Sequence, residues 1–417
     1  MSRRTGGADL PLHGGHVPGW LSGRMSRLGA VIAQAIIHHY GRDEFLRRLA
    51  HPFWFQSFGS VMGMDWHSSG ITTSVLGALR RGLTPMADEL GLYICGGRGR
   101  HSRETPAQLL KIGEKTGLDG NELAQTSRLV AKVDSAAVQD GFDLYIHGFI
   151  ITRDGQWTVI QQGMNPDRKL ARRYHWLSEG LESFIETPHA AIEGRKTGTI
   201  VNLTDRRASA SRTNQLDLLR SLGPDGIVRK ISAANTTKEP PRQGMLPHLS
   251  MPEHHEIRPE NIMLRRLHGA LAAAAERGPQ DFSELLLTPG VGARTVRTLA
   301  HVAEIIHGTP CRFDDPARFS LALGGKDRQP FPVPLKVYDK TITLLKQAVE
   351  SSRLGNDDRL AALSRLDEAS RRLERTASGP ALAAYIAQEK AMSASYGGRS
   401  VFGIEHPDQT PSKHAAC

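Results

Sequence analysis

The sequence predicts an α+β fold: a mixed N-terminal domain with a β-hairpin or small sheet, then an all-α C-terminal domain. Two runs of alternating character, Leu144–Thr152 and Gln156–Gly163, flank Arg153-Asp154-Gly155, a strong hairpin-turn signal. Ahead of them apolar residues recur at helical spacing, as in Leu21, Met25, Leu28, Ile32, Ala35 and Ile36. Behind them, from Pro259 to Glu389, the chain reads as helix throughout.

Taken in order, the first helix is expected over Pro18–Tyr40, with Pro18 suited to a helix start. The aromatic block His51–Gly59 follows. Ser69 is placed to cap a helix over Gly70–Leu83. Thr105-Pro106 forms a cap and first-turn pair for a helix over Ala107–Thr116, and Asn121–Val138 is amphipathic. After the hairpin, Asp167–Phe184 reads as helix. Thr197–Glu239 is polar and mixed, in part a linker, and Pro247–Pro259 reads as irregular. Helices are expected over Glu260–Arg277, Gly292–His307 and Leu335–Arg375. The implied divisions are 1–195, a linker or irregular region over 196–258, a helical domain over 259–390, and a disordered tail over 391–417.

Composition narrows the partners. The 417 residues carry a net charge of +10, with 39% hydrophobic and 23% charged residues. Such a chain can bury a core, and its basic balance favours polyanions such as nucleic acid. No apolar run approaches the ~20 residues of a membrane helix. The first residues lack a signal peptide's apolar stretch. The three cysteines, Cys95, Cys311 and Cys417, are far apart and show no zinc-binding spacing. The expected setting is cytoplasmic, without a membrane partner.

The sharpest local pattern is Leu286-Leu287-Thr288-Pro289-Gly290-Val291-Gly292, between a helix over Asp281–Leu287 and one over Ala293–Ile306. Glycines at Gly290 and Gly292 allow backbone conformations and close approaches that other residues resist. The freed amides at the second helix's N-terminus, with the helix dipole, suit an anion. Arg294 and Arg297 add charge beside it. Gly290, Val291, Gly292, Arg294 and Arg297 are therefore candidate DNA contacts, positioning a backbone without reading sequence. The alternative is an ordinary glycine-bearing helix turn. The segment resembles the helix-hairpin-helix of DNA-repair proteins. In base-excision glycosylases of that superfamily an aspartate beyond the second helix serves the chemistry, which the resemblance maps to Asp314 or Asp315. Against this, no lysine stands at Ala293–Arg294, no four-cysteine cluster follows, and Asp before Pro also serves as a helix cap. Gly324-Gly325-Lys326-Asp327 adds Lys326 as a further candidate phosphate contact.

The N-terminal half holds the candidate chemistry. Asp65-Trp66-His67-Ser68-Ser69-Gly70 sets a carboxylate and an imidazole two residues apart, able to share a metal or act as acid and base. Gly96-Gly97-Arg98-Gly99-Arg100-His101-Ser102-Arg103 suits a phosphate-cradling loop, with Arg98 and Arg100 as contacts. Around the hairpin stand Asp134, Asp140, His147, Gln161, Gln162 and, in Arg172-Arg173-Tyr174-His175-Trp176, His175. Alternation puts His147 on the face of Tyr145 and Phe149, and Gln161 and Gln162 on opposite faces. The candidate catalytic set is Asp65, His67, His101, His147, Gln162 and His175. Asp65, His67, Asp134 and Asp140 are candidate ligands for a divalent metal, Mg or Mn. Each of these also has a structural reading, as cap or core. Phe53-Trp54-Phe55-Gln56 reads as core before it reads as a base-stacking surface.

Several strings together carry a family resemblance: Asp9-Leu10-Pro11-Leu12-His13-Gly14-Gly15, Asp65 to Gly70, Gly97 to Ser102, Ile160-Gln161-Gln162-Gly163-Met164-Asn165 and Arg173-Tyr174-His175-Trp176-Leu177. The chain resembles the family catalogued as domain of unknown function 763, over roughly Arg4 to Arg375. That resemblance implies no activity. The residues themselves support three expectations: a metal-dependent nuclease of DNA repair or processing, a non-catalytic DNA-binding accessory protein, or a base-excision enzyme.

Overall fold

The computed structural model describes residues 10–11, 19–64, 69–194, 196–236 and 264–317, and beyond 342 only positions 343, 345–350, 360–365, 391, 399–400 and 403–404. Asp65, His67, Lys326 and most of the expected helix over Leu335–Arg375 lie outside the described residues, as does most of the tail expected to be disordered.

Strand β1 (Leu10–Pro11) precedes four helices: α1 (Gly19–Tyr40), α2 (Arg42–Ala50), α3 (Pro52–Val61) and α4 (Gly70–Leu83). The aromatic block is thus helical, and Phe53, Trp54 and Phe55 are core. Helix α4 starts where expected, yet the Ser69 side chain makes no cap hydrogen bond. A short α5 (Ala87–Leu90) leads to β2 (Leu92–Arg98), α6 (Arg100–Thr116), α7 (Gly120–Lys132) and a π-helical turn over Val133–Ala137. Helix α6 begins seven residues earlier than the expected Ala107, so the basic glycine string is the end of a strand and the first turn of a helix. Pro106 lies inside that helix, and Thr105 Oγ1 donates to the Ser102 carbonyl at 2.9 Å, supplying the donor a proline lacks.

Strands β3 (Val138–Gln139), β4 (Asp143–Thr152), β5 (Trp157–Asn165), β6 (Leu170–Leu177), β7 (Ala191–Glu193) and β8 (Thr199–Asn202) follow. The hairpin β4–β5 is as expected, with Gly155 at φ 86° in its turn. The helix expected over Asp167–Phe184 is instead strand β6. Its period was hidden because charged side chains are buried on both faces: Arg172 and Arg173 each meet buried acids. Helices α8 (Ser209–Ser221), α9 (Gly223–Thr236), α10 (Leu264–Arg277), α11 (Phe282–Leu287) and α12 (Ala293–His307) and strand β9 (Arg312–Asp314) complete the main body. Much of the expected linker is therefore regular structure. The C-terminal part is not wholly α either, because β9 pairs with β8.

The main sheet is antiparallel in the order β1-β6-β5-β4-β2, with β7 on β6; a second small sheet runs β3-β8-β9. Helices α1–α4 cover one face, packing Phe55, Phe58, Leu76 and Leu79 onto Ile146, Ile150 and Ile160. The approach of α4 is close: a side chain on Gly148 would begin 2.7 Å from Leu76. The other face, with Phe149, Val159, Tyr174 and Trp176, shares one core with α7 and with α8–α12. The molecule is α+β with small antiparallel sheets. Among the described residues no helix is long and apolar enough to cross a membrane.

Candidate functional site

Strand pairing aligns Arg98, Ile146, Gln162, Arg173 and Glu193 across neighbouring strands, and one residue further in Gly97, His147 and Gln161. Of the candidate side chains, Arg98, His147, Gln161 and Gln162 therefore sit at one end of the sheet, divided between its two faces.

On the α7 face, Ser127 Oγ lies 2.9 Å from His147 Nε2, and His147 Nδ1 lies 2.7 Å from Gln161 Oε1. Gln161 Nε2 donates to Asp134 at 2.5 Å and to the Val130 carbonyl, so its oxygen must face His147. His147 therefore carries its hydrogen on Nδ1 and accepts the Ser127 hydroxyl on Nε2. Burial keeps this imidazole neutral, pushing its pKa below the usual histidine value against the pull of Gln161 and Asp134. Asp134 also accepts from Trp176 Nε1 at 3.0 Å and pairs with His189 at 2.5 Å. Nearby, Asp140 and Asp315 grip Arg172 at 2.8 Å each, and Tyr174 donates to Asp140 at 2.6 Å. Asp315 also accepts from Thr197 and the Ala317 amide. Burial raises the Asp315 carboxyl, but Arg172 and these donors outweigh it and hold the pKa below the ordinary value.

Asp134 and Asp140 thus belong to separate hydrogen-bonded sets, their oxygens already taken by protein donors. Among the described residues no group of three His, Cys, Asp or Glu side chains could hold a metal. Asp315 is equally committed, whereas Asp314 is exposed on β9.

On the α4 face, Arg173 Nε donates to Thr72 Oγ1 at 2.8 Å, Nη2 donates to Gln56 Oε1 at 2.8 Å, and Nη1 lies 2.8 Å from Glu193. Thr72 donates to Gln162, whose Nε2 donates to the Ser69 carbonyl at 3.1 Å and to the Tyr145 hydroxyl. Tyr145 is here, opposite His147, because a β-bulge lies between Leu144 and Ile146. The alternation expected from sequence fails at that residue. His175 lies deeper, with Nδ1 donating to the Leu49 carbonyl at 3.1 Å, and burial followed by Arg173 drives its pKa well down. His101 joins neither set: it is exposed and pairs with Glu104 at 3.2 Å. Arg98 and Arg100 are exposed beside it.

At the turn between α11 and α12, Asp281 caps α11 through the Glu284 amide at 2.8 Å. Gly290 has φ 84°, as glycine should, whereas Gly292 at φ −144° is extended and open to any residue. Pro289, Gly290 and Arg294 are exposed, and Val291 is buried. The amide hydrogens of Gly292, Ala293, Arg294 and Thr295 have no acceptor among the described residues, and Gly292 supplies no side-chain cap. Arg297 does not join Arg294 at this surface. Its Nε donates to Gln139 Oε1 at 2.6 Å, while Gln139 Nε2 donates to the Ala293 carbonyl at 3.0 Å and Lys132 to the Val291 carbonyl. These bonds fasten the turn to the end of α7 and to β3.

Sequence reading missed Ser127, Thr72, Tyr145, His189 and Glu193. The last two are isolated in the chain and carry no local signal. Arg172 and Arg173 had one: paired arginines beside Tyr, His and Trp, in a run that no surface helix needs.

This is an α+β chain with two polar clusters buried against one antiparallel sheet and an open helix N-terminus at its side. It belongs to the family described as protein of unknown function (DUF763), whose model matches residues 6–333. No curated protein and no solved structure matches it.

Proposed function

We propose that the chain is a DNA-binding protein of repair or processing type, and that α11, the turn Thr288–Gly292 and α12 act as a helix-hairpin-helix on the phosphate backbone. One observation carries this reading: the amides of Gly292–Thr295 find no acceptor among the described residues, next to exposed Arg294, in a chain of net charge +10. Such a set, at the positive end of a helix dipole, favours a phosphate oxygen. Arg266 reinforces it. It is exposed one turn before Ala270, and Ala270 lies 3.7 Å from where a side chain on Gly290 would begin.

Fluorescence anisotropy on single-stranded and duplex oligonucleotides over a salt series tests this. Arg294→Glu should weaken binding to all sequences alike and lower the slope of log affinity against log salt by about 0.9 or more. Gly290→Pro should weaken binding as well. Wild-type affinity in both variants would refute the hairpin contact.

Cleavage by a divalent metal is the second reading. The bond from Gln162 to the Ser69 carbonyl favours it, because it ties the end of the Asp65–Gly70 string to the sheet end that carries Tyr145 and Arg98. Asp65 and His67 would then hold Mg or Mn, which would activate water and neutralise the scissile phosphate. Incubation with Mg²⁺ or Mn²⁺ on single-stranded, duplex and damaged DNA should give cleavage that Asp65→Ala and His67→Ala abolish. Intact DNA throughout would leave binding as the whole function.

A further inference from the structure

The bulge in β4 turns Tyr145 to the α4 face, half-buried at the sheet end while the next residues, Ile146–Thr152, are buried. Its hydroxyl meets a fixed partner. The Ser69 carbonyl can only accept, and Thr72 donates to the Gln162 oxygen, so the Gln162 nitrogen faces Tyr145. The Tyr145 oxygen is therefore an acceptor in this bond, and its own hydrogen is left to give. No described residue accepts it. Burial pushes the Tyr145 pKa up against the pull of Gln162, Arg98 and Arg173, so the hydroxyl stays protonated at neutral pH.

Arg98, the last residue of β2, is exposed with its guanidinium carbon 5.8 Å from the centre of the Tyr145 ring. No carboxylate among the described residues pairs with it. A ring contact of this kind holds a guanidinium near the phenol without using up its N–H groups. One O–H and a fork of N–H donors thus stand together without an acceptor among the described residues. The complementary group is compact, anionic and rich in acceptor oxygens, which describes a phosphate.

We propose that Arg98 and Tyr145 form a second phosphate-binding subsite, which takes a backbone phosphodiester of the nucleic acid that the hairpin holds. This rests on the nucleic-acid reading above and assigns to it a residue, Tyr145, with no sequence signal. Gln162 is a positioning residue here, fixed in turn by Thr72 and Arg173.

The test compares wild type with Tyr145→Phe, Arg98→Ala and Gly290→Pro on labelled single-stranded and duplex oligonucleotides over a salt series. Phenylalanine keeps the ring and its packing and removes only the donor. Tyr145→Phe should weaken binding about three- to tenfold with an unchanged salt slope, as loss of one hydrogen bond does. Arg98→Ala should weaken binding and lower the slope by about 0.9. Wild-type binding in both, with loss in Gly290→Pro, would overturn the subsite and leave the hairpin standing. Should wild type bind no oligonucleotide, calorimetry with inorganic tripolyphosphate decides. Binding lost in both subsite variants would keep a phosphate site without the nucleic-acid reading, and no binding would overturn both.

Discussion

His147 and His175, candidate catalytic residues by sequence, sit in the interior as neutral rings, each with a fixed partner. Their acid response follows. In the unfolded chain each protonates near 6.5, whereas burial lowers both folded values, that of His175 well below. Between the two values the unfolded state binds the extra proton, so stability rises with pH and is lost as pH falls below about 6.5. Each ring contributes a slope of about 1.4 kcal/mol per pH unit in that window. Urea midpoints between pH 7.5 and 5.5 should therefore fall steeply toward acid, and His175→Gln should flatten the fall by about one ring's share. An identical slope in both proteins would mean that His175 is accessible to protons in the folded state. The residue types were legible in the sequence, but their burial was not. A histidine beside Phe149 reads the same whether it faces a pocket or a helix.

Among the elements, the expected caps missed: Ser69 makes no cap hydrogen bond, and Thr105-Pro106 lies inside α6. Local signals succeeded where they were turn chemistry, as in Arg153-Asp154-Gly155 and its hairpin. They failed where tertiary partners hid the period. Strand β6 carries Arg172 and Arg173 inward on opposite faces, which no alternation rule recognises without Asp140, Asp315 and Glu193 in place. The bulge at Tyr145 is invisible for a related reason: one extra residue in a ladder leaves no mark on composition. The turn before α12 is a clearer case. Gly290 has φ 84° with ordinary space around its α-carbon, so the demand for glycine there is conformational. Gly290→Ala should cost about 1 kcal/mol, measured by chemical denaturation. An unchanged midpoint would mean that the turn relaxes to a different conformation.

For the molecule as a whole, the tie between segments far apart in sequence is electrostatic as well as apolar. Asp315 follows β9, Asp140 precedes β4, and Arg172 joins them with none of the three exposed. Arg172→Met would leave two carboxylates buried without their counter-ion, at a cost of about 3–5 kcal/mol. A thermal melt showing wild-type stability would mean that the clasp is dispensable. Helices α8–α12 share a core with one face of the sheet. The hairpin turn is accordingly held by Lys132 and Gln139 rather than standing apart. The amides of Gly292–Thr295 are the proposed phosphate contacts, and hydrogen exchange read by mass spectrometry on peptides across Leu286–Arg297 addresses them directly. Saturating oligonucleotide should slow exchange there in wild type and not in Gly290→Pro; tight binding with exchange in that segment unchanged would contradict the account.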